Sequence, residues 1–396
     1  MIPYGRQDVT QADIDAVVEV LRSDFLTQGS TVPRFEDAVS TRVNVKHAVA
    51  VNSATSGLHI ACMALGLGPG DRLWTVANTF VASANCARYC GADVDFVDID
   101  ADTWNLSVPR LREKLVRAKK SGCLPKILVP VHFAGQPTEQ EAIWDLAREY
   151  GYHVLEDASH AIGATRNGEP VGSCRWSEIT VFSFHPVKII TTGEGGMALT
   201  NDAELAERMV MLRSHGITRD PVRFVTRTHG TAIGIASERR PPAWYYEQQL
   251  LGYNYRLTEI QAALGTSQLE RLDQYIARRN ELARRYDYEL GSLPLQLPTI
   301  QAENNSAFHL YVVRLRRNVV RKTHREVFDE LRQRGIGVNL HYMPVHLQPY
   351  YRDLGFTDGQ YPEAEAYGES AITLPLYAGL TDAQQDRVVA AVKEVL

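Results

Sequence analysis

The chain has 396 residues, of which 44% are hydrophobic and 22% are charged, and its formal net charge is −5. This length allows two domains or one large domain with a smaller appendage, and the composition is ordinary for a globular protein. A negative net charge without a basic block argues against a nucleic-acid partner, and no apolar run reaches the roughly 18 residues of a membrane span.

The N-terminus and the cysteines indicate a cytoplasmic protein. The first seven residues contain no apolar core and no cleavage-like site, so we expect no signal peptide. The cysteines are odd in number and lie mostly among apolar residues, as reduced, packed thiols do. Cys86 and Cys90 have the spacing of two metal ligands on a helix, but no nearby His or Cys pair completes a zinc site, so we expect no metal.

The first half of the chain alternates between predicted helices and strands. Two helices, at 11–21 and 35–43, flank a polar loop at 25–30 that contains a glycine. From residue 47 onward short apolar strands alternate with helices, the strands at 47–52, 73–76, 94–98, 126–131 and 153–156 and the helices at 58–65, 81–89 and 139–150. This alternation is typical of a mainly parallel sheet that is covered by helices on both faces.

The chain beyond residue 200 departs from this alternation. Residues 219–242 hold charges, glycines and a Pro-Pro pair with little periodicity, and we interpret them as an extended surface excursion. Residues 260–290 predict one long amphipathic helix. The rest predicts a smaller α+β region, with strands at 309–315 and 337–340 and helices at 323–334 and 381–396. We therefore divide the chain into a large domain, 1–259, and a bridging helix with a small C-terminal domain, 260–396.

One lysine stands between a predicted strand and a glycine cluster. The strand at 179–183 is β-branched and apolar, Lys188 follows it, and a second strand-like run at 197–200 comes after three glycines at 193, 195 and 196. Burial favours the neutral amine, which is the form that attacks a carbonyl, and glycines let the backbone approach a bulky group. The alternative is a surface lysine beside a tight turn, and this stretch alone does not decide between the two.

Polar side chains lie where other predicted strands end, which is the edge at which open α/β sheets bind ligands. Thr55 and Ser56 open a helix, as in an anion site, although such residues also serve as ordinary N-caps. Asp157 ends a strand and needs a partner, which could be a protonated heterocyclic nitrogen, a salt bridge or a helix N-terminus. Ser183 lies on the strand that leads to the lysine, where a local hydrogen bond is the alternative to anion binding.

An aromatic residue completes the set. Phe80 directly precedes a predicted helix, where it could cover a planar ring or pack in the core. An amine, a carboxylate, an anion site and a stacking ring are together what pyridoxal 5′-phosphate requires, because a lysine binds this cofactor covalently and an acidic residue pairs with its ring nitrogen. The combination favours this cofactor where each residue alone does not.

The chain resembles the nucleotide-sugar aminotransferases of the DegT/DnrJ/EryC1/StrS type, which have the type I aminotransferase fold. The resemblance covers nearly the whole sequence, and it lies in the stretches at 26–29, 52–59, 156–161, 182–196, 252–259 and 341–349. Within the family, the stretches at 184–192 and 213–217 are most similar to the transaminases of pseudaminic acid biosynthesis. These enzymes make UDP-4-amino-4,6-dideoxy-N-acetyl-β-L-altrosamine from the matching 4-keto sugar, with L-glutamate as amino donor.

The resemblance implies a role for each candidate residue. It implies that Lys188 binds the cofactor covalently, that Asp157 pairs with the pyridine nitrogen and that His160 lies beside the ring. Asn254 is expected to reach the phosphate from a second subunit, which implies a homodimer with shared sites. The other implied contacts are Phe80 on the ring, Thr55, Ser56 and Ser183 on the phosphate, and Thr27, Tyr311, His341 and Tyr342 near the nucleotide sugar. Residues 220–242 look longer and more irregular than the family pattern.

Three alternatives remain at this point. A pyridoxal-phosphate sugar dehydratase has the same fold, but its best-known member carries histidine in place of the lysine, so Lys188 argues against it. A transaminase that acts on another dTDP- or UDP-linked keto sugar differs only in loops that the sequence does not resolve. A regulatory protein that binds the cofactor without turnover is disfavoured, because the lysine, aspartate and anion-site residues are all present.

Overall fold

The computed structural model describes residues 1–225 and 243–396. Helices and strands are numbered separately in chain order. The helices are α1 (Gln11–Leu21), α2 (Thr31–Val43), α3 (Ala54–Ala64), α4 (Ala82–Tyr89), α5 (Val108–Ser121), α6 (Gln140–Tyr150), α7 (Ala203–Arg213), α8 (Glu259–Leu269), α9 (Leu272–Leu290), α10 (His324–Gln333), α11 (Pro349–Arg352), α12 (Pro362–Gly368) and α13 (Asp382–Val395).

The strands form one large sheet and several small ones. The two-residue strands outside the large sheet are β1 (Ile2–Pro3), β7 (Thr165–Arg166), β8 (Glu169–Pro170), β11 (Ile217–Thr218), β12 (Glu247–Gln248), β13 (Leu295–Gln296), β14 (Asn304–Asn305) and β16 (Ile336–Gly337). The large sheet has the spatial order β2 (His47–Val51), β10 (Gly196–Thr200), β9 (Ile179–Ser183), β6 (His153–Asp157), β5 (Ile127–Val129), β3 (Arg72–Val76) and β4 (Asp93–Val97).

The large sheet is mainly parallel, as the alternating pattern predicts. Only β10 runs against its neighbours, pairing antiparallel with both β2 and β9, while the pairs from β9 across to β4 are parallel. Its central strands are apolar and fully buried, which a sheet covered on both faces requires. The carboxyl ends of β6 and β9 therefore lie at the same edge, together with the start of β10 and the end of β2.

A second apolar core lies in the C-terminal third. It forms under an antiparallel sheet of β13, β15 (Tyr311–Leu315) and β17 (Ala371–Leu374), against α9, α10 and α13. Helix α9 contributes to two cores: Tyr275 and Ile276 pack on the large-sheet side, and Leu282 and Tyr286 pack in the C-terminal core. The division at residue 259 remains a prediction, which this sharing of α9 supports.

The single long helix predicted at 260–290 is wrong, because the helix breaks between α8 and α9. At the break Arg271 donates two hydrogen bonds of 2.7 Å to the carboxylate of Asp13 in α1, and Gln268 donates to the same carboxylate. Asp13 is almost fully buried, so it needs these donors. These side-chain contacts join the break between α8 and α9 to α1.

The irregular excursion predicted at 219–242 lies partly outside the described residues, since 226–242 are not among them. Its described flanks are held together by the pairing of β11 with β12. All five cysteines are free, and Cys62, Cys86 and Cys174 are buried. In the described part of the chain no group of histidine, cysteine or acidic side chains is arranged to hold a metal ion. None of the helices described combines the length and apolar character that a bilayer crossing requires.

Candidate active site

A cavity of about 400 Å³ opens at the edge of the large sheet where β6 and β9 end. One wall comes from these strand ends and the start of α3, and the opposite wall comes from loops of the C-terminal third. The structure brings eight of the predicted site residues into this lining: Thr55, Phe80, Asp157, His160, Ser183, Lys188, His341 and Tyr342. The two walls together have the size and the mixed polarity of a small-molecule site.

Lys188 lies in the loop after β9. Burial of the amine is the larger cause and lowers the pKa of Lys188 to about 8, while the carboxylate of Asp157 acts in the opposite direction. A lower pKa leaves a larger share of the amine neutral near physiological pH. The Lys188 amine is therefore suited to attack a carbonyl and to accept a proton.

Two threonines hold the lysine loop in shape. The hydroxyl of Thr191 donates to the carbonyl of Phe184 and accepts from the amide of Gly193, both at 2.9 Å. The amide of Thr192 also donates to the Phe184 carbonyl, and its hydroxyl donates to the carbonyl of Glu194. Both threonines are buried. They position the loop rather than contact the cavity, which gives these two residues a structural role that the sequence did not indicate.

Asp157, at the end of β6, is held by hydroxyl and amide donors. Ser83 donates to one carboxylate oxygen at 2.6 Å, and Ser159 donates to the other through its hydroxyl at 2.6 Å and its amide at 3.1 Å. The side chain is buried and lines the cavity. These donors fix the orientation of the carboxylate, which faces a site that also contains a buried amine. Neither serine was found from the sequence: Ser83 is 74 positions from Asp157 in the chain, whereas Ser159 has the two-residue spacing of a local side-chain turn, which was a usable signal.

The N-terminus of α3 forms the anion end of the cavity. Ser53 is the N-cap, and its hydroxyl accepts from the amide of Ser56 at 3.1 Å. Gly196 lies so close that a Cβ on it would stand 2.5 Å from the Ala54 amide nitrogen. Free amides at a helix N-terminus, with the hydroxyls of Thr55 and Ser183 nearby, suit a phosphate group.

Ser56 does not reach the cavity, which corrects one sequence-based expectation. Its hydroxyl donates to Asn52 at 2.6 Å and lies 2.9 Å from the hydroxyl of Ser53. The third residue of a helix points back toward the N-cap, so this side chain completes the cap instead of facing the ligand. Ser53, which the sequence analysis passed over, lines the cavity in its place.

His160 and Tyr342 form a hydrogen-bonded pair across the two walls. The His160 Nε2 lies 3.1 Å from the Tyr342 hydroxyl, and the Ala134 amide donates to Nδ1 of the same ring. Burial, together with the positive charge of Lys188, holds the pKa of His160 well below its ordinary value, so the ring is neutral. With Nδ1 accepting, the proton is on Nε2, and the Tyr342 hydroxyl remains able to donate into the cavity. Phe80 stands opposite, 57% exposed, with its ring 6.0 Å from that of Tyr342.

The remaining predicted residues lie outside the cavity. Tyr311 is buried in the C-terminal core and donates to Asp287 at 2.6 Å, so its expected place near the sugar is corrected. It was misplaced because β15 turns this side chain into the small sheet's core. Thr27 is exposed in the loop before α2, and Asn254 is exposed beside Ser214, so neither lines the cavity of its own chain.

The cavity contains residues that the sequence did not single out. Tyr4, Thr79, His309 and Asn339 line it, as do His185 and Glu194, for which the sequence suggested no role. Positions 4, 309 and 339 are far apart in sequence, and only tertiary packing brings them to one place. The only sequence signal near His309 was the predicted strand at 309–315, which begins with this residue.

The residues of the sheet wall fit pyridoxal 5′-phosphate. A buried amine with a lowered pKa, a carboxylate oriented by three hydrogen bonds, and a helix N-terminus with a glycine at close approach lie around one cavity. These groups match, in order, the aldehyde, the ring nitrogen and the phosphate of this cofactor. Lys188, Asp157 and the N-terminus of α3 are therefore the groups that would hold it.

Comparison with known proteins agrees with this chemistry. Residues 7–393 match the DegT/DnrJ/EryC1/StrS aminotransferase family. The spore coat polysaccharide biosynthesis protein SpsC of Bacillus subtilis is 36% identical over 398 residues, which span 100% of this chain and 97% of that protein.

Two solved structures illustrate the similarity in fold. Helicobacter pylori PseC, an aminotransferase involved in the biosynthesis of pseudoaminic acid, is 30% identical with a TM-score of 0.88, over 100% of this chain and 98% of that one. The PLP form of Spr1654 from Streptococcus pneumoniae is 28% identical with a TM-score of 0.86, over 100% and 99% of the two chains.

Proposed function

The chain belongs to the DegT/DnrJ/EryC1/StrS aminotransferase family, and from that membership we propose that it transfers the amino group of L-glutamate to the C4 keto group of a nucleotide-linked 4-keto-6-deoxy sugar. As a member of this family it is an enzyme that uses pyridoxal 5′-phosphate. The observation that carries the proposal is the buried amine of Lys188 in one cavity with the carboxylate of Asp157 and the N-terminus of α3.

The proposed roles follow from the contacts of each side chain. Once bound, the cofactor supplies an electron sink for the carbanion that forms when the amino donor loses its Cα proton. Lys188 binds the cofactor covalently through Nζ, and its neutral amine, when freed, takes up and returns a proton inside the cavity. Asp157 supplies the negative charge that keeps the ring nitrogen protonated, and its hydrogen-bond donors orient its carboxylate in the cavity.

The other residues of the cavity bind and orient. Ser53, Thr55 and Ser183 are proposed to hold the phosphate with the amides of α3. Phe80 is proposed to cover one ring face, and the Tyr342 hydroxyl, supported by His160, donates to an oxygen beside that ring. These contacts also fill the space around Lys188, which keeps bulk water from competing for its proton.

A homodimer is part of the proposal. Asn254 lies on the surface of its own chain next to Ser214 and does not line that chain's cavity. We expect its amide to donate to the phosphate in the site of a second subunit, and the exposed Thr27 to lie near the nucleotide sugar. The variant Asn254→Cys would test this arrangement. If it is correct, the new thiol should cross-link to a thiol-reactive probe that is bound at the phosphate site of another chain.

The proposed substrate is a UDP-linked 4-keto-6-deoxy-N-acetyl hexose, and the product is UDP-4-amino-4,6-dideoxy-N-acetyl-β-L-altrosamine with 2-oxoglutarate. The resemblance of residues 184–192 and 213–217 to the pseudaminic acid transaminases supports this choice, as does the similarity to PseC across both whole chains. The alternatives are another UDP- or dTDP-linked keto sugar, and elimination of water by a sugar dehydratase.

A half-reaction with defined sugars tests the proposal. The protein is loaded with pyridoxamine phosphate and mixed with a panel of UDP- and dTDP-linked keto sugars, and absorbance is followed with mass spectrometry of the sugar. We expect the UDP-linked N-acetyl 4-keto sugar to restore the pyridoxal absorbance fastest and to gain an amino group. Faster reaction of a dTDP-linked sugar would contradict the proposed UDP-linked substrate. Loss of water from the sugar without amination would show a dehydratase instead of a transaminase.

A further inference from the structure

One histidine in the cavity has no hydrogen-bond partner. Three histidines besides His309 line it, and these three, His160, His185 and His341, each have polar groups beside both ring nitrogens. His309 is 4% exposed, its Nδ1 is buried without a partner, and neither of its ring nitrogens is hydrogen-bonded within the described chain. Because a buried polar group without a partner is costly, this ring is expected to bind a ligand that the protein alone does not supply.

A buried arginine lies directly behind this histidine. Arg279 of α9 is 2% exposed, and its guanidinium donates to the backbone carbonyls of Phe308, His309 and Leu376 at 3.1 to 3.2 Å. Its Nε is buried without a partner, and no carboxylate among the described residues forms an ion pair with it. Buried charges in proteins are usually paired with an opposite charge. Within the described chain Arg279 has only backbone carbonyls as acceptors, so its positive charge at this end of the cavity is not neutralised by a carboxylate.

The histidine itself is neutral. Burial is the main cause that holds the pKa of His309 well below its ordinary value, and the nearby His160, Lys188 and Arg279 act in the same direction. A neutral imidazole carries one N–H, so His309 can donate a hydrogen bond to a ligand without adding a buried positive charge. The His160 ring lies 4.4 Å away and closes the other side of the histidine.

The amino donor needs such a group. L-Glutamate and 2-oxoglutarate each bring two carboxylates into the cavity, and carboxylates in proteins are bound by N–H donors and positive charge. No arginine is among the described residues that line the cavity, and the hydroxyls and amides of its sheet wall are those proposed for the phosphate. His309 and the field of Arg279 stand on the opposite wall, away from those groups.

We propose that His309 and Arg279 form the subsite that recognises a carboxylate of the dicarboxylic amino donor, His309 by donating a hydrogen bond and Arg279 by its buried charge behind it. This inference rests on the proposed aminotransferase function and adds the residues that select the donor. Arg279 does not line the cavity, so it acts as a positioning residue through His309 and the backbone it holds.

Binding of an unreactive dicarboxylate tests the subsite without turnover. Glutarate is titrated into the cofactor-loaded protein by calorimetry, and its Kd is measured for the wild type, His309→Phe and His309→Gln. Phenylalanine keeps the ring volume and removes the N–H, so we expect glutarate binding to weaken by about tenfold or more. Glutamine restores a side-chain N–H donor, and we expect it to recover most of the affinity. An Arg279→Lys variant, which keeps the charge, is expected to lose less than Arg279→Met.

The outcomes separate this inference from the proposed function. If His309→Phe binds glutarate as the wild type does, the subsite is wrong, whether or not keto sugars are aminated. If glutarate binding depends on His309 but no keto sugar in the panel reacts, the subsite stands and the proposed function fails. Should Arg279→Met not fold, the phenylalanine and glutamine variants of His309 decide alone. The visible absorbance of bound pyridoxal 5′-phosphate in His309→Phe serves as the control that the variant is folded and loaded with cofactor.

Discussion

The two walls of the cavity are built differently. On the sheet wall, Asp157 and Lys188 follow strands of the large sheet, and short hydrogen bonds within a few residues or from α4 fix their surroundings. On the opposite wall His309, Asn339 and His341 come from loops of the C-terminal third, which meet the sheet wall through contacts such as that between Tyr342 and His160. The first wall is therefore held together within the large sheet and α4, and the second depends on how the C-terminal third packs against that sheet.

The largest effect is expected from removing the amine on the sheet wall. Lys188→Ala should abolish turnover, because no other lysine lines the cavity in the described chain to bind the cofactor or move the proton. Lys188→Arg should fail as well, since a guanidinium is not deprotonated and forms no imine. Steady-state assays and the visible absorbance of the purified variants measure both. A turnover near that of the wild type in either variant would remove Lys188 from the mechanism.

Two adjacent carboxylates of β6, Asp157 and Glu156, allow a direct test of which one faces the cofactor. Asp157→Asn should lower turnover by several orders of magnitude, since a neutral amide cannot balance a protonated ring nitrogen. Glu156, the preceding residue, is buried on the other face of β6 and accepts from Gln140 and Thr180. Glu156→Gln is the matched control: we expect a loss of about 1–3 kcal/mol in the free energy of unfolding with turnover of the folded enzyme retained. Reversed effects of the two variants would contradict the assignment.

A smaller effect is expected where the two walls meet. Tyr342→Phe removes the hydroxyl that accepts from His160 and keeps the aromatic ring. Loss of one buried hydrogen bond corresponds to about tenfold in rate, so we expect turnover to fall by about that factor with cofactor still bound. The ratio of kcat between variant and wild type at saturating substrates is the measurement. If Tyr342→Phe instead loses the cofactor, the Tyr342 hydroxyl is needed for cofactor binding, as we propose for the residues of the sheet wall.

Adjacent residues of α3 offer a finer comparison. Thr55→Ala should weaken pyridoxal phosphate binding, because its side chain lines the cavity at the anion end. Ser56→Ala should leave the cofactor Kd unchanged and lower the free energy of unfolding by about 1 kcal/mol, because the Ser56 hydroxyl bonds to Asn52 in the helix cap. Fluorescence titration of the cofactor and urea denaturation measure the two effects. A weaker cofactor Kd in Ser56→Ala alone would return this serine to the phosphate site.

A pH dependence of stability is also expected from the sheet wall. The pKa of Lys188 is lowered to about 8 in the fold, so the unfolded chain binds this proton more tightly. The cost of burying the charged amine is full below pH 8 and disappears as the pH rises toward the ordinary lysine value. Cofactor-free wild type should therefore gain stability relative to Lys188→Met between about pH 8 and 10. His341 on the other wall has its pKa lowered to about 3 and does not titrate there. A constant difference in unfolding free energy would contradict the lowered lysine pKa.

The same difference between the walls explains which site residues could be predicted from the sequence. The mainly parallel sheet follows from periodicity, and the place of Lys188 and Asp157 in one cavity follows because both lie at or just after strand ends. His309 and Asn339 could not be predicted, because their place depends on how the C-terminal third packs against the large sheet. Tyr311 was misassigned for the same reason, since β15 turns it into the small core. Ser56 shows the limit within a motif: its residue type suits phosphate, but its position in the helix cap turns it away.

The most direct test of the account is to locate the covalent attachment of the cofactor. Wild-type protein is loaded with pyridoxal 5′-phosphate, reduced with borohydride and digested, and the peptides are mapped by mass spectrometry. We expect the added mass of the reduced cofactor on the peptide that contains Lys188, with none on peptides from the C-terminal third. Attachment at another lysine, or no attachment at all, would contradict the claim that the sheet wall holds the cofactor.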